Sequence, residues 1–125
     1  MGDRRVGGFK ELAAWQRGMD LVAQIYASTR SWPNEERFGL TSQVKKAVVS
    51  VPSNVAEGHA RTGPREFYHH VSIAFGSLAE VETQILIARR LDYLNEERTQ
   101  QLLECLAEAR RPLTGLLQAL RSPKT

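Results

Sequence analysis

A chain of 125 residues has room for one domain with a sizeable core and too little for two ordinary ones. Its 17 Lys and Arg against 14 Asp and Glu give a net charge of +3, an excess that tolerates an acidic partner without demanding one. The single cysteine, Cys105, excludes an internal disulfide and suits a reducing compartment, where it serves as a small apolar side chain.

Residues 1–8 are polar and Gly-rich with no apolar h-region, so they are expected to form a flexible N-terminus. The longest charge-free run, 67–79, contains two His and two Ser, short of the ~18 apolar residues that a membrane span needs. A cytoplasmic location without a membrane partner follows as the expectation.

The first helix is expected over 10–30. Leu12, Trp15, Met19, Val22 and Tyr26 step by three and four along one face, with Gly8 and Glu11 at its start. Trp32-Pro33 ends it, because a residue before proline avoids the helical region. Pro33 also suits the first position of a second helix, with Glu35 and Glu36 at the positive end of its dipole and Gly39 loosening the first turn. That helix continues through Leu40, Val44, Ala47 or Val48, Val51 and Val55; the spacing is helical despite the valine richness. Residues 58–63 punctuate the chain.

Gly63-Pro64-Arg65-Glu66 reads as the start of a third helix. Phe67, Val71, Ala74, Leu78, Val81, Ile85 and Ala88 then hold a seven-residue repeat. After a loop at 92–95, Asn95 caps a fourth helix with Glu96 and Glu97 in its first turn. Leu102, Leu106, Ala109, Leu113, Leu116 and Leu120 form its stripe, and Ser122-Pro123 closes it. Four amphipathic helices with short connections predict an all-α, antiparallel up-down four-helix bundle over 9–121, with 122–125 as a tail. Pro52 and Pro112 fall inside helices, where each removes a donor at about 3 kcal/mol, so a kink is expected at Pro52. Leu21, Ile25, Ile73, Phe75, Leu103 and Leu117 widen the apolar stripes. They mark either a broad core-facing surface or a second face used between subunits.

Two polar rows share this scaffold: Gln43, Lys46, Ser50, Asn54 and Glu57 on the second helix, and Glu66, His70, Ser77, Glu80 and Gln84 on the third. If they face each other, Gln43, Ser50, Asn54, Glu57, Ser77 and Glu80 make a buried polar network that fixes helix register. If not, both rows are solvated. Glu66 and His69 have the Glu-x-x-His spacing of di-iron bundles, but such sites need a second copy of it and two further glutamates, and no other glutamate here has a His three residues on. No serine sits in a nucleophile-elbow pattern near His59, His69 or His70, and 58–63 lacks a phosphate-loop lysine. No catalytic residue, metal, cofactor or small-molecule substrate is therefore expected. Lys45, Lys46, Arg61, Arg65, Arg89 and Arg90 are the candidate contacts to RNA or DNA. Interspersed acids and sparse aromatics predict weak, salt-sensitive, sequence-tolerant binding. The rival expectation is a protein-interaction scaffold.

The runs Glu36-Arg37-Phe38-Gly39-Leu40-Thr41-Ser42-Gln43 and Ser50-Val51-Pro52-Ser53-Asn54-Val55-Ala56-Glu57-Gly58 resemble the signature of the 23S rRNA intervening-sequence proteins, also called the four-helix-bundle protein family. Ile73-Ala74-Phe75-Gly76-Ser77-Leu78-Ala79-Glu80-Val81-Glu82 is similar to its third-helix motif, and Arg89-Arg90-Leu91-Asp92-Tyr93-Leu94 to its last loop. Phe75, where the family usually has a charge, and Pro112 depart from the pattern. The resemblance implies a ring-like homopentamer, which multiplies the positive charge, and a link to RNA. Members occur as reading frames inside rRNA-gene insertions, and a related accessory protein of diversity-generating retroelements is a basic pentamer that binds nucleic acid.

Overall fold

The computed structural model describes residues 8–121. These form α1 (Ala13–Thr29), α2 (Leu40–Ala60), α3 (Pro64–Arg90) and α4 (Glu96–Arg121), with short 3-10 turns at Gly8–Glu11 and Asn34–Glu36. The expected flexible N-terminus and the 122–125 tail lie outside the described residues, except that Gly8 opens the first turn at φ 59°.

Each helix borders two others. α1 packs on α2 and α4, and α3 packs on α2 and α4, while no Cα pair within 8 Å joins the diagonal pairs among the described residues. Numbering runs in opposite directions across each contact: Tyr26 lies against Lys45 and Gly18 against Pro52, Ser50 meets Ser77 and Asn54 meets His70, Glu82 meets Arg110 and Arg89 meets Glu96. This is the antiparallel up-down four-helix bundle.

The third helix uses its heptad as the spacing predicts. Val71, Ala74, Leu78, Val81, Ile85 and Ala88 are fully buried, facing Val44, Val48, Val51 and Val55 of α2 and Leu102, Leu106, Ala109 and Leu113 of α4 within one core. By length and composition α3 also meets the measure of a membrane span, which the charge-free run had not suggested. Its apolar content exceeds what the heptad requires because Ile73, Leu86 and Ile87 add exposed apolar area on the other side.

The first helix corrects the expected face. Ala14, Gly18, Leu21 and Ile25 point inward, while Met19 and Tyr26 are exposed. Counting large apolar residues missed this, because two of the inward positions are small. Gly18 is small for a reason: a Cβ there would stand 3.3 Å from Pro52 Cδ and from Val51 Cγ1. The buried ring of Pro52 packs on α1 at this point, and α2 stays helical through it, as α4 does through Pro112. The start of α1 is also later than expected. The Leu12 amide bonds to Phe9 O at 3.0 Å and Leu12 is extended, so a separate turn brings Phe9 edge-on to Trp15 at 5.5 Å.

The second helix does not open at Pro33. The 3-10 turn comes first, and Glu36 then acts as a cap, its Oε1 accepting from the Leu40 amide at 3.0 Å. Asn95 caps α4 as predicted, its side chain accepting from the Arg98 amide at 2.7 Å. α3 ends in the paired closure of a Schellman motif, with Tyr93 N donating to Ala88 O at 2.8 Å and Asp92 N to Arg89 O at 3.1 Å. Asp92 takes the left-handed position at φ 64°.

Candidate functional site

The two polar rows meet along the seam between α2 and α3. The close approach comes from Gly58, where a Cβ would fall 2.6 Å from the Cβ of His70 and 3.1 Å from the Phe67 ring. At this separation short side chains reach across. Ser50 Oγ and Ser77 Oγ are 2.8 Å apart. Asn54 Nδ2 donates to Ser50 O at 2.9 Å and to Ser50 Oγ at 3.0 Å, which turns its Oδ1 toward His70 Nδ1 at 3.0 Å. An amide oxygen only accepts, so Nδ1 of His70 carries the proton. His70 Nε2 faces Glu57 Oε2 at 3.9 Å, and that carboxylate accepts from Arg61 at 3.0 Å. A continuous chain therefore runs from Ser77 through Ser50, Asn54 and His70 to Glu57 and Arg61.

Ser50, Asn54 and Ser77 are half-buried members of this chain. Gln43, Glu57 and Glu80 are exposed, so half of the expected set is not buried. Glu57 and Glu80 hydrogen-bond within their own helices rather than across the seam. Glu80 bonds to Gln84 of its own helix at 3.2 Å and not to Asn54. Gln84 is itself buried, and its Oε1 has no partner among the described residues. His70, placed in the α3 row but outside the expected network, is the link that joins the helices at Asn54. The available signal was its spacing of seven from Ser77.

Across the seam the Ser50 and Ser77 hydroxyls engage each other, and His70 Nδ1 faces the Asn54 amide oxygen. Cys105, half-buried on α4, has its thiol held above the ordinary value, first by burial and then by the charge of Asp20. This keeps it protonated.

The six candidate cations fall on several surfaces. Lys45 lies over the Tyr26 ring at 4.8 Å, toward α1, while Lys46 is exposed. Arg61 is engaged with Glu57, and Arg89 with Glu96 at 3.3 Å and Asp92 at 3.5 Å. Arg65 and Arg90 are exposed at opposite ends of α3, roughly 37 Å apart at 1.5 Å per residue. One grouping does form, at the end of the bundle where α2 turns into α3. Arg65 lines a cleft of about 430 Å³ with Pro64, Tyr68, Ala119, Leu120 and Arg121. A hollow of about 440 Å³ beside it is lined by His59, Arg61 and Phe67, and shares Pro64 and Leu120. Arg121 was not singled out from the sequence, because a lone arginine in a last turn reads as a dipole partner.

A second residue missed from sequence is Arg98. From α4 it donates to Ser28 Oγ at 2.8 Å, Gln24 Oε1 at 2.8 Å and Gln24 O at 3.2 Å on α1, above a groove of about 520 Å³.

Comparison with known proteins places this architecture. No curated protein matches the chain. A crystal structure of a protein of unknown function from the S23 ribosomal protein family of Bacteroides thetaiotaomicron is similar in fold, with a TM-score of 0.77 at 17% identity over 84% of this chain and 98% of the other. The family model described as 23S rRNA-intervening sequence protein matches residues 10–115, a span that includes α1, α2, α3, most of α4 and the whole α2–α3 seam. The chain belongs to the 23S rRNA-intervening sequence protein family.

Proposed function

We propose that this chain is a non-enzymatic helical bundle that self-associates and, in its assembled form, binds RNA or DNA weakly and without sequence specificity. The observation that carries the nucleic-acid reading is the arginine-lined end of the bundle. Arg65 and Arg121 flank one cleft with the Tyr68 ring beside them, and Arg61 lines the next hollow. Among the described residues, neither Arg65 nor Arg121 has a carboxylate within 4.0 Å. Two unengaged guanidinium groups side by side suit phosphate, and an adjacent tyrosine face accepts any base. Repeating that end around an assembly multiplies a weak contact, as tethered sites do. The use of the polar seam for helix register, with no serine set against a base, supports the non-enzymatic part.

A titration with structured RNA and duplex DNA at low and moderate salt tests the reading. Binding is expected at low salt, weakening steeply as salt rises. The pair Arg65→Ala and Arg121→Ala is expected to lower the affinity for all sequences alike, whereas absence of binding at low salt removes the nucleic-acid reading. The second reading, a scaffold for another protein, is favoured by the exposed apolar side chains Phe38 and Leu91 at the far end of the bundle. A pull-down dominated by one protein and insensitive to nuclease would favour it.

A further inference from the structure

The cleft at the arginine-lined end of the bundle is mostly apolar. Beside Arg65 and Arg121 stand Pro64, Ala119, Leu120 and the half-buried ring of Tyr68, around about 430 Å³. Two other grooves carry acid: Asp20 and Glu104 line the one at Arg98, and Glu108 the one at Arg17. Among the described residues, no carboxylate lines this cleft or the hollow that adjoins it. Glu11, Glu57 and Glu66 are the nearest acids in sequence. Glu57 holds Arg61 at 3.0 Å, and Glu66 Oε1 lies 3.2 Å from where a Cβ on Gly63 would stand.

A duplex presents sugar and phosphate outward and keeps its base faces stacked inside, roughly 3.4 Å apart along each strand. It offers phosphate to the two arginines but nothing to Pro64, Ala119 and Leu120, against which a phosphate would lose its water. An unpaired base offers an apolar face to the tyrosine ring. The cleft and the adjoining hollow share Pro64 and Leu120 as a common wall, and Tyr68 lines the first while Phe67 lines the second. Consecutive on α3, these rings diverge by about 100° around its axis. Neighbouring bases reach both only when splayed apart, as in a single strand. We propose that the cleft takes an unpaired nucleotide of RNA or DNA, its base on the Tyr68 ring and its flanking phosphates on Arg65 and Arg121, so that this end binds single strands in preference to duplex. This rests on the nucleic-acid reading and names the form of nucleic acid that the site accepts.

The test is a titration of the full chain with a short mixed-sequence single strand, of RNA and of DNA, and with the duplex of each, at low and moderate salt. Duplex carries the higher charge density, so a surface that only tracks phosphates favours it. Here the single strand is expected to bind tighter with either sugar. Tyr68→Ala is expected to weaken single-strand binding roughly 10-fold and to leave duplex binding unchanged. That ratio should hold as salt rises, because stacking releases no counterions. Tyr68→Phe should keep the preference. Ala119→Glu, at an exposed position, brings a carboxylate into the cleft and should abolish the preference with helical circular dichroism unchanged. Duplex bound as tightly as single strand, or a single-strand preference indifferent to Tyr68→Ala and Ala119→Glu, overturns this site while the nucleic-acid reading stands. Absence of binding to every probe at low salt removes both.

Discussion

The α2–α3 seam and the α1–α4 seam both carry polar side chains across the bundle, and they do so at different separations. At the first, Gly58 lets the helices close until serine meets serine and asparagine meets histidine. At the second, the helices bound an open groove, and the long side chain of Arg98 spans it. The lesson concerns replaceability. A short half-buried side chain that bonds a neighbouring helix has no second conformation that keeps its partners satisfied. A long arginine at the surface exchanges protein partners for water at little cost.

The largest expected effect breaks the close seam directly. Gly58→Val places a branched side chain where even a Cβ falls 2.6 Å from His70 Cβ, an atom fixed to the backbone of α3. Overpacking of this kind costs about 3 kcal/mol, and denaturant unfolding should show it as a lower midpoint at similar slope. The comparison itself is sharpened by Asn54→Ala beside Arg98→Ala. The first removes three hydrogen bonds at one point and strands the Nδ1 proton of His70, a loss of about 2 kcal/mol that better helix propensity offsets by roughly 0.6. The second should cost about 1 kcal/mol or less. Equal losses would show that the α1–α4 groove is as constrained as the closed seam.

The elements were legible because each large signal had one physical origin. The α3 heptad, the Pro64 start and the Asn95 cap are local features and stand where the sequence puts them. The inward face of α1 was not legible, since Ala14 is a small residue among larger apolar ones and Gly18 owes its position to Pro52 on another helix. The same holds at the seam. Asn54, Ser50 and Ser77 are recognisable as a row, but that His70 closes the chain while Gln43 and Glu80 stay in solvent depends on how near Gly58 lets α3 come. Arg98 left no signal, because an arginine in a first turn looks the same in sequence whether it bridges a groove or not.

The smallest effect concerns the bond between the α1–α2 and α3–α4 loops, where Tyr93 donates to Glu36 Oε2 at 2.8 Å. Like Arg98 it is a long side chain at a rim, so it belongs with the replaceable contacts, but its strength can be tuned by pH. The Leu40 amide and then the Tyr93 hydroxyl hold the Glu36 carboxyl below 4.5. The same bond, followed by burial, holds the Tyr93 hydroxyl above 10.0. A depressed carboxyl contributes stability that is present above its unfolded value of 4.5 and is lost as pH falls through the folded one. A raised phenol contributes stability that is present below 10.0 and is lost as pH rises through its folded value, where two anions would share the contact. The difference in Tm between wild type and Tyr93→Phe should therefore hold a plateau between those limits and shrink on both sides. Thermal melts across the pH range measure it, and a difference that persists unchanged into acid would mean that Tyr93 acts through its ring against Trp32, 5.9 Å away, rather than through its hydroxyl.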